Sequence, residues 1–276
     1  MRRLVLCLLL AFLILGLLSA CQSPPEPEEV TQPPSPPPAP TPVPTPSPMP
    51  TPATTPRPTP SPRPVPTILP EKLLQYADWI ERNDAFCGWL TIPDTVMDYP
   101  VVYGSDYTFY IDYDFDKNKS AKGAVFVDYR NTPDNPLWKN TILYAHHMRN
   151  GSMFGSLEVF TQLEHLRDHP VFTYDTLYGV RRYQIFAVLI VPMNYNYVQV
   201  DFETGLAFLA FIRHMREISL YSTDLKITAE DEIITLSTCW YDFKDARFVV
   251  QGVRLPDEVD GIPAAYEKNT SRVIDW

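Results

Sequence analysis

Cysteine is scarce in this chain: there are four in 276 residues, and Cys7 and Cys21 fall within the first 21. The other two, Cys87 and Cys239, are too few for a disulfide framework. They can pair, or each can stand alone as a core residue or a reactive thiol. Basic charge is also short. Lys and Arg total 23 against 33 Asp and Glu, and over residues 71–276 the balance is 19 against 30. Such an acidic domain is a poor partner for nucleic acid. No Cys/His spacing supports a metal site. The one long apolar run, Leu4 to Leu18, is shorter than the ~20 residues that span a bilayer.

Proline, by contrast, is abundant: 22 of the 30 lie between Pro24 and Pro70. Three regions follow from these biases. Residues 1–21 read as an export signal, with Arg2 and Arg3 before the apolar run and Ser19-Ala20-Cys21 closing it. That ending resembles a bacterial lipobox, in which Cys21 is lipidated; the other reading is an uncleaved signal anchor. Both place the rest of the chain outside the cytoplasm, beside a membrane. Residues 22–70 repeat Thr, Ser and Pro, as in Thr41-Pro42-Val43-Pro44. A segment with few backbone donors and little to bury is expected to be a disordered, extended stalk. Residues 71–276 remain to build one domain.

Within that domain, Leu73, Leu74, Ala77 and Ile80 have helical spacing, which predicts an amphipathic helix over 71–83. Short runs rich in Val, Ile, Tyr and Phe then predict strands at 88–92, 98–103, 123–127, 141–145, 171–174, 183–191, 225–228, 233–238 and 248–255. Two helical pieces interrupt them, at 153–160 and 203–218. In the second, Leu206, Leu209, Ala210 and Arg213 recur by threes and fours. The class is mostly β, a barrel or a sandwich.

Two places suit chemistry. The apolar run Thr235-Leu236-Ser237-Thr238 ends in Cys239, and Arg247 opens the next strand eight residues on. Antiparallel strands joined by so short a loop bring the two together. A guanidinium favours thiolate and offers donors to an oxyanion, but cannot serve as a base. The plainer readings are a buried small hydrophobe for Cys239 and a surface charge for Arg247. Elsewhere, Asn140-Thr141-Ile142-Leu143-Tyr144-Ala145 runs out into His146 and His147. A strand end presents an imidazole well for proton transfer. Adjacent residues on a strand face opposite ways, which weakens any joint metal role.

Several segments resemble the class B sortase family. They are Gly88-Trp89-Leu90-Thr91-Ile92-Pro93, Lys122 through Asn131, Asn140 through Leu157, and Thr235 through Cys239 followed by Asp245 through Val250. The match runs in the family's order from about Glu71 to Leu255. The resemblance implies a closed eight-stranded sortase-type barrel with an N-terminal helix and a helix-containing insertion before the cysteine strand. It implies Cys239, His146 and Arg247 as catalytic residues, Ser237 and Thr238 as substrate-binding ones, and no cofactor.

The function implied is that of a cysteine transpeptidase cleaving an LPxTG- or NPxTx-like sorting signal after Thr. The acyl group would pass through a thioacyl enzyme to an amine of cell-wall peptide or pilin. Rival readings are a cysteine peptidase that releases surface proteins by hydrolysis, and a non-catalytic peptide- or wall-binding lipoprotein. Two positions depart from the family: Ala145 stands where Gly usually precedes the histidine, and Asp94 where Gly often follows Ile-Pro.

Overall fold

The computed structural model describes residues 70–135 and 138–272. The expected export signal, Cys21 and the stalk up to residue 69 lie outside the described residues. Among the described residues, no helix is long and apolar enough to cross a membrane.

The domain opens with two short helices, α1 (Pro70–Gln75) and α2 (Ala77–Arg82), rather than one helix over 71–83. The break falls at Tyr76, which turns inward, donates to Asp175 Oδ2 at 2.6 Å and packs on Phe86 and Trp89. Burial of this aromatic outweighs the continuous helical spacing, and Leu74, expected on the buried face, is 80% exposed.

β1 (Phe86–Thr91) and β2 (Asp98–Tyr103) follow, then a loop carrying α3 (Phe109–Asp112). Next come β3 (Val125–Val127), β4 (Asn140–Tyr144), a 3₁₀ helix (Phe154–Thr161) and α4 (Leu163–Asp168). β5 (Val171–Thr176) and the long β6 (Gly179–Pro192) precede α5 (Gly205–Ile218). The chain ends in β7 (Tyr221–Thr223), β8 (Ile233–Cys239), β9 (Ala246–Arg254) and β10 (Tyr266–Lys268).

Eight strands close a barrel in the order β1-β2-β3-β4-β8-β9-β6-β5, while β7 and β10 pair separately. The strand expected at 225–228 is absent. Leu225 is instead buried beneath α5, and the Thr228 amide and hydroxyl are both taken by the Asp231 carboxylate, which turns the chain there.

Burial explains why β5 and β8 read so differently. β5 alternates between buried and part-exposed positions, whereas β8 is buried at six consecutive positions. A strand covered on both faces needs apolar or paired side chains throughout. Ile234, Leu236, Phe248 and Val250 belong to the barrel interior. On the other face of the same sheet, Ile233, Val249 and Val253 meet Phe208, Phe211, Ile212 and Met215 of α5. Each such side chain contributes about 1.5–3 kcal/mol through burial. α5 is started by Thr204, whose hydroxyl accepts from the Ala207 amide at 3.1 Å, a cap of about 1 kcal/mol. The insertion is thus fastened to the outer face of β8 and β9, the strands that carry the candidate cysteine and arginine.

Candidate active site

β8 and β9 pair antiparallel, and their register sets Cys239 directly across from Arg247. Directly opposed residues share a face, with Cβ atoms about 4.5–5.5 Å apart. Alternation puts that face outside the barrel, on the side of Ser237 and Val249 and beneath the β6–α5 insertion. Cys239 and Arg247 are both partly exposed, and the residues just before Cys239 are buried. The arginine's Nη1 donates to the Ala246 carbonyl at 3.0 Å. Cys239 and Cys87 are both free thiols.

The histidine arrives from β4, which runs parallel to β8 with Tyr144 level with Ser237. One residue on, Thr238 Oγ1 donates to the Ala145 carbonyl at 2.8 Å. The two chains therefore still run side by side at the step before His146 and Cys239. The turn beyond is tightly built. Phe154 donates its amide to the His146 carbonyl at 3.0 Å, and His147 bridges Met153. Gly155 lies against the Met148 carbonyl, where an added Cβ would approach to 2.3 Å, so glycine at this position is a steric requirement of the turn.

The adjacent histidines diverge. His146 Nε2 lies 2.9 Å from the Ile111 carbonyl on the β2–β3 loop. A carbonyl only accepts, so Nε2 carries the proton, and Nδ1 is the nitrogen left to exchange one. His147 turns the other way, its ring 5.5 Å from Trp240 and 5.2 Å from Tyr241. Burial pushes His147 below the usual histidine value, against the opposing pull of Glu158 and the Cys239 backbone.

Ser237 and Thr238, both carried over as substrate-binding candidates, are buried with hydroxyls already engaged. Thr238 bonds Ala145, and Ser237 Oγ lies 2.9 Å from the Tyr197 hydroxyl. Tyr197 is a site residue that the sequence reading missed. It sits in the β6–α5 loop, and burial raises its phenol's pKa, with the charge of Arg247 pulling it back down. Its only sequence signal is an aromatic pair, Tyr195 and Tyr197, alternating with Asn194 and Asn196. The Ile111 carbonyl, as a backbone atom, had no signal at all. Both departures from the family pattern are accommodated. Ala145 is buried at 8% exposure. Asp94 adopts φ 55°, a left-handed conformation that Asp tolerates better than most residues.

A closed eight-stranded barrel with a thiol, an imidazole segment and a guanidinium at the ends of β8, β4 and β9 is the arrangement of sortases. The sortase domain model matches residues 90–255. Sortase B of Listeria monocytogenes is 37% identical over 179 residues, covering 63% of this chain and 72% of that protein. Sortase B of Staphylococcus aureus is 33% identical over 165 residues, covering 60% and 67%. The solved structure of a Staphylococcus aureus sortase B–substrate complex aligns with a TM-score of 0.63 at 30% identity, over 67% of this chain and 86% of that one. The chain belongs to the sortase family. Within it, the chain is of class B, and its activity is that of a cysteine transpeptidase.

Proposed function

We propose that Cys239, His146 and Arg247 carry out the transpeptidation, on a sorting-signal peptide of the LPxTG or NPxTx type. The observation that carries this reading is the cross-strand pairing of Cys239 with Arg247. The substrate complex of the Staphylococcus aureus relative supports a peptide partner.

In this reading the Cys239 thiolate attacks the Thr carbonyl carbon, and the C–S bond forms as charge moves to the carbonyl oxygen. Arg247 donates to that oxyanion or holds the peptide beside it. Collapse breaks the C–N bond, and protonated His146 gives its proton to the leaving amine. The thioacyl enzyme is then attacked by an amine of cell-wall peptide or of a pilin. That amine yields its proton to His146, and the C–S bond breaks to return the thiolate. The hydrogen bond from His146 to the Ile111 carbonyl suits an imidazole that alternates between neutral and charged, since Nε2 donates in both states. Ser237 and Thr238 serve the substrate indirectly, by fixing Tyr197 and the His146 strand against β8.

The domain 71–276 works outside the cell at the cytoplasmic membrane's outer face. It is tethered by the 1–21 segment through lipidated Cys21 or an uncleaved anchor, and held off by the 22–70 stalk. The test is a panel of sorting peptides incubated with the full chain and an added amine, with products read by mass spectrometry. A ligated peptide that disappears in Cys239→Ala is expected. Hydrolysed product alone at saturating amine would overturn the transfer step.

A further inference from the structure

One carboxylate outside the catalytic group gathers an unusual number of partners. Asp128, one residue beyond β3, has no exposed side-chain surface. Its Oδ1 accepts from the Arg130 amide at 3.0 Å and from Arg130 Nε at 2.8 Å. Its Oδ2 accepts from Arg130 Nη2 at 2.8 Å and from the hydroxyls of Tyr107 and Tyr144 at 3.0 Å each. Arg130 Nη2 donates a second time, to the Val198 carbonyl at 2.8 Å.

These partners belong to three segments around the site. Tyr107 lies on the loop whose Ile111 carbonyl meets His146. Tyr144 ends β4, two residues before His146. Val198 follows Tyr197, whose hydroxyl meets Ser237 of the cysteine strand. The same loop is fixed further on by Asn140, whose Nδ2 donates to the Gln199 carbonyl at 2.9 Å and whose amide donates to the Val200 carbonyl at 3.0 Å. A planar guanidinium holds both carboxylate oxygens in a fixed fork while it meets a carbonyl, a geometry that a point-like ammonium does not impose.

We propose that Asp128 and Arg130 form a positioning pair that locks the 197–200 segment, the wall above the cysteine strand, in register with the histidine end of β4. The pair touches no reacting atom; it sets the width of the peptide cleft. Its kinetic consequence rests on the sorting-peptide reading above, whereas its structural consequence does not.

The experiment compares full-length wild type, Arg130→Lys and Tyr144→Phe by amide hydrogen exchange and by sorting-peptide kinetics. Arg130→Lys keeps the charge and loses the fork. Amides at 197–200 are expected to exchange about tenfold faster or more, as for loss of one charge-assisted hydrogen bond, with β4 and β8 unchanged. KM for the peptide is expected to rise about tenfold with kcat nearly constant, the pattern of lost uniform binding. Alkylation of Cys239 by a small thiol reagent should keep its rate. Tyr144→Phe spares the Arg130–Val198 bond and should leave exchange at 197–200 as in wild type.

Unchanged exchange at 197–200 in Arg130→Lys would overturn the proposal. So would acceleration spread equally over β4 and β8, which would mark a merely structural ion pair. If the loop loosens as expected while wild type cleaves no sorting peptide, the substrate reading fails and the positioning pair stands.

Discussion

Cys239 and Arg247 face one another across the last pair of the β8–β9 ladder, so the separation of their Cβ atoms is set by backbone hydrogen bonds rather than by a mobile loop. Removing either side chain should therefore leave the strand pair intact and take only chemistry away. Cys239→Ala is expected to abolish cleavage of a fluorogenic sorting peptide. Arg247→Ala should lower kcat/KM by about 10²–10³-fold, the scale for one oxyanion donor. Arg247→Lys should recover only part of this, because a point charge cannot replace a planar fork. Unimpaired turnover in Arg247→Ala would sink the assignment.

The two histidines should separate cleanly in kinetics. His146→Ala removes the proton carrier, with an expected loss of about 10²–10⁴-fold in kcat. His147 lies against Trp240 and Tyr241, and a His147→Asn change should cost stability more than rate. Thermal melts beside single-turnover rates decide between them. A larger rate loss for His147→Asn than for His146→Ala would exchange the two roles.

Much of this was legible in the sequence, for identifiable reasons. The barrel strands are short β-branched and aromatic runs bounded by turns. The Cys239–Arg247 pairing follows from eight residues across one hairpin. α5 was legible as a helix, but its orientation was not. Leu206, which fits the spacing, is 81% exposed, and the buried side chains are Phe208, Phe211, Ile212, Met215 and Ile218. A helix with apolar residues on more than one side takes its inner face from what it meets, here Val249 and Val253 of β9. Tyr76 broke the N-terminal helix for the same kind of reason, since its partner Asp175 is 99 residues away. The contacts that tune the site, Tyr197 to Ser237 and His146 to a carbonyl, are long-range pairings that local pattern does not encode.

The two domain thiols should differ sharply in reactivity. Cys87 is buried, and that burial pushes its thiol up to about 12, with its Sγ 3.7 Å from the Tyr174 hydroxyl. Cys239 is partly open to solvent. Iodoacetamide at pH 8, followed by peptide mapping, should label Cys239 and leave Cys87 unmodified until denaturant is added. Equal labelling of both in the folded protein would contradict the burial of Cys87 within the barrel core.

Asp128 gives the fold an acid limit whose sign can be worked out. Burial pushes its carboxyl up, but the hydrogen bonds and charge of Arg130, with Tyr107, outweigh this and hold it below the ordinary value of 3.8. A carboxylate with a depressed folded pKa binds fewer protons folded than unfolded between the two values, so stability rises with pH there. Its contribution is therefore complete above the unfolded value and is lost as pH falls through the folded one. Asp128→Asn leaves the part-exposed Arg130 facing a neutral amide and, at neutral pH, should cost about 1.5–3 kcal/mol, the scale for lost hydrogen bonds to a charged group. Urea midpoints measured from pH 6 downward should show wild type and variant beginning to converge below about pH 4, the unfolded value, with the gap closing as pH falls through the lower folded one. A gap that stays constant into the acid range would mean that the aspartate stabilises the loop junction by shape alone, and its ionisation would then have no part in holding Arg130.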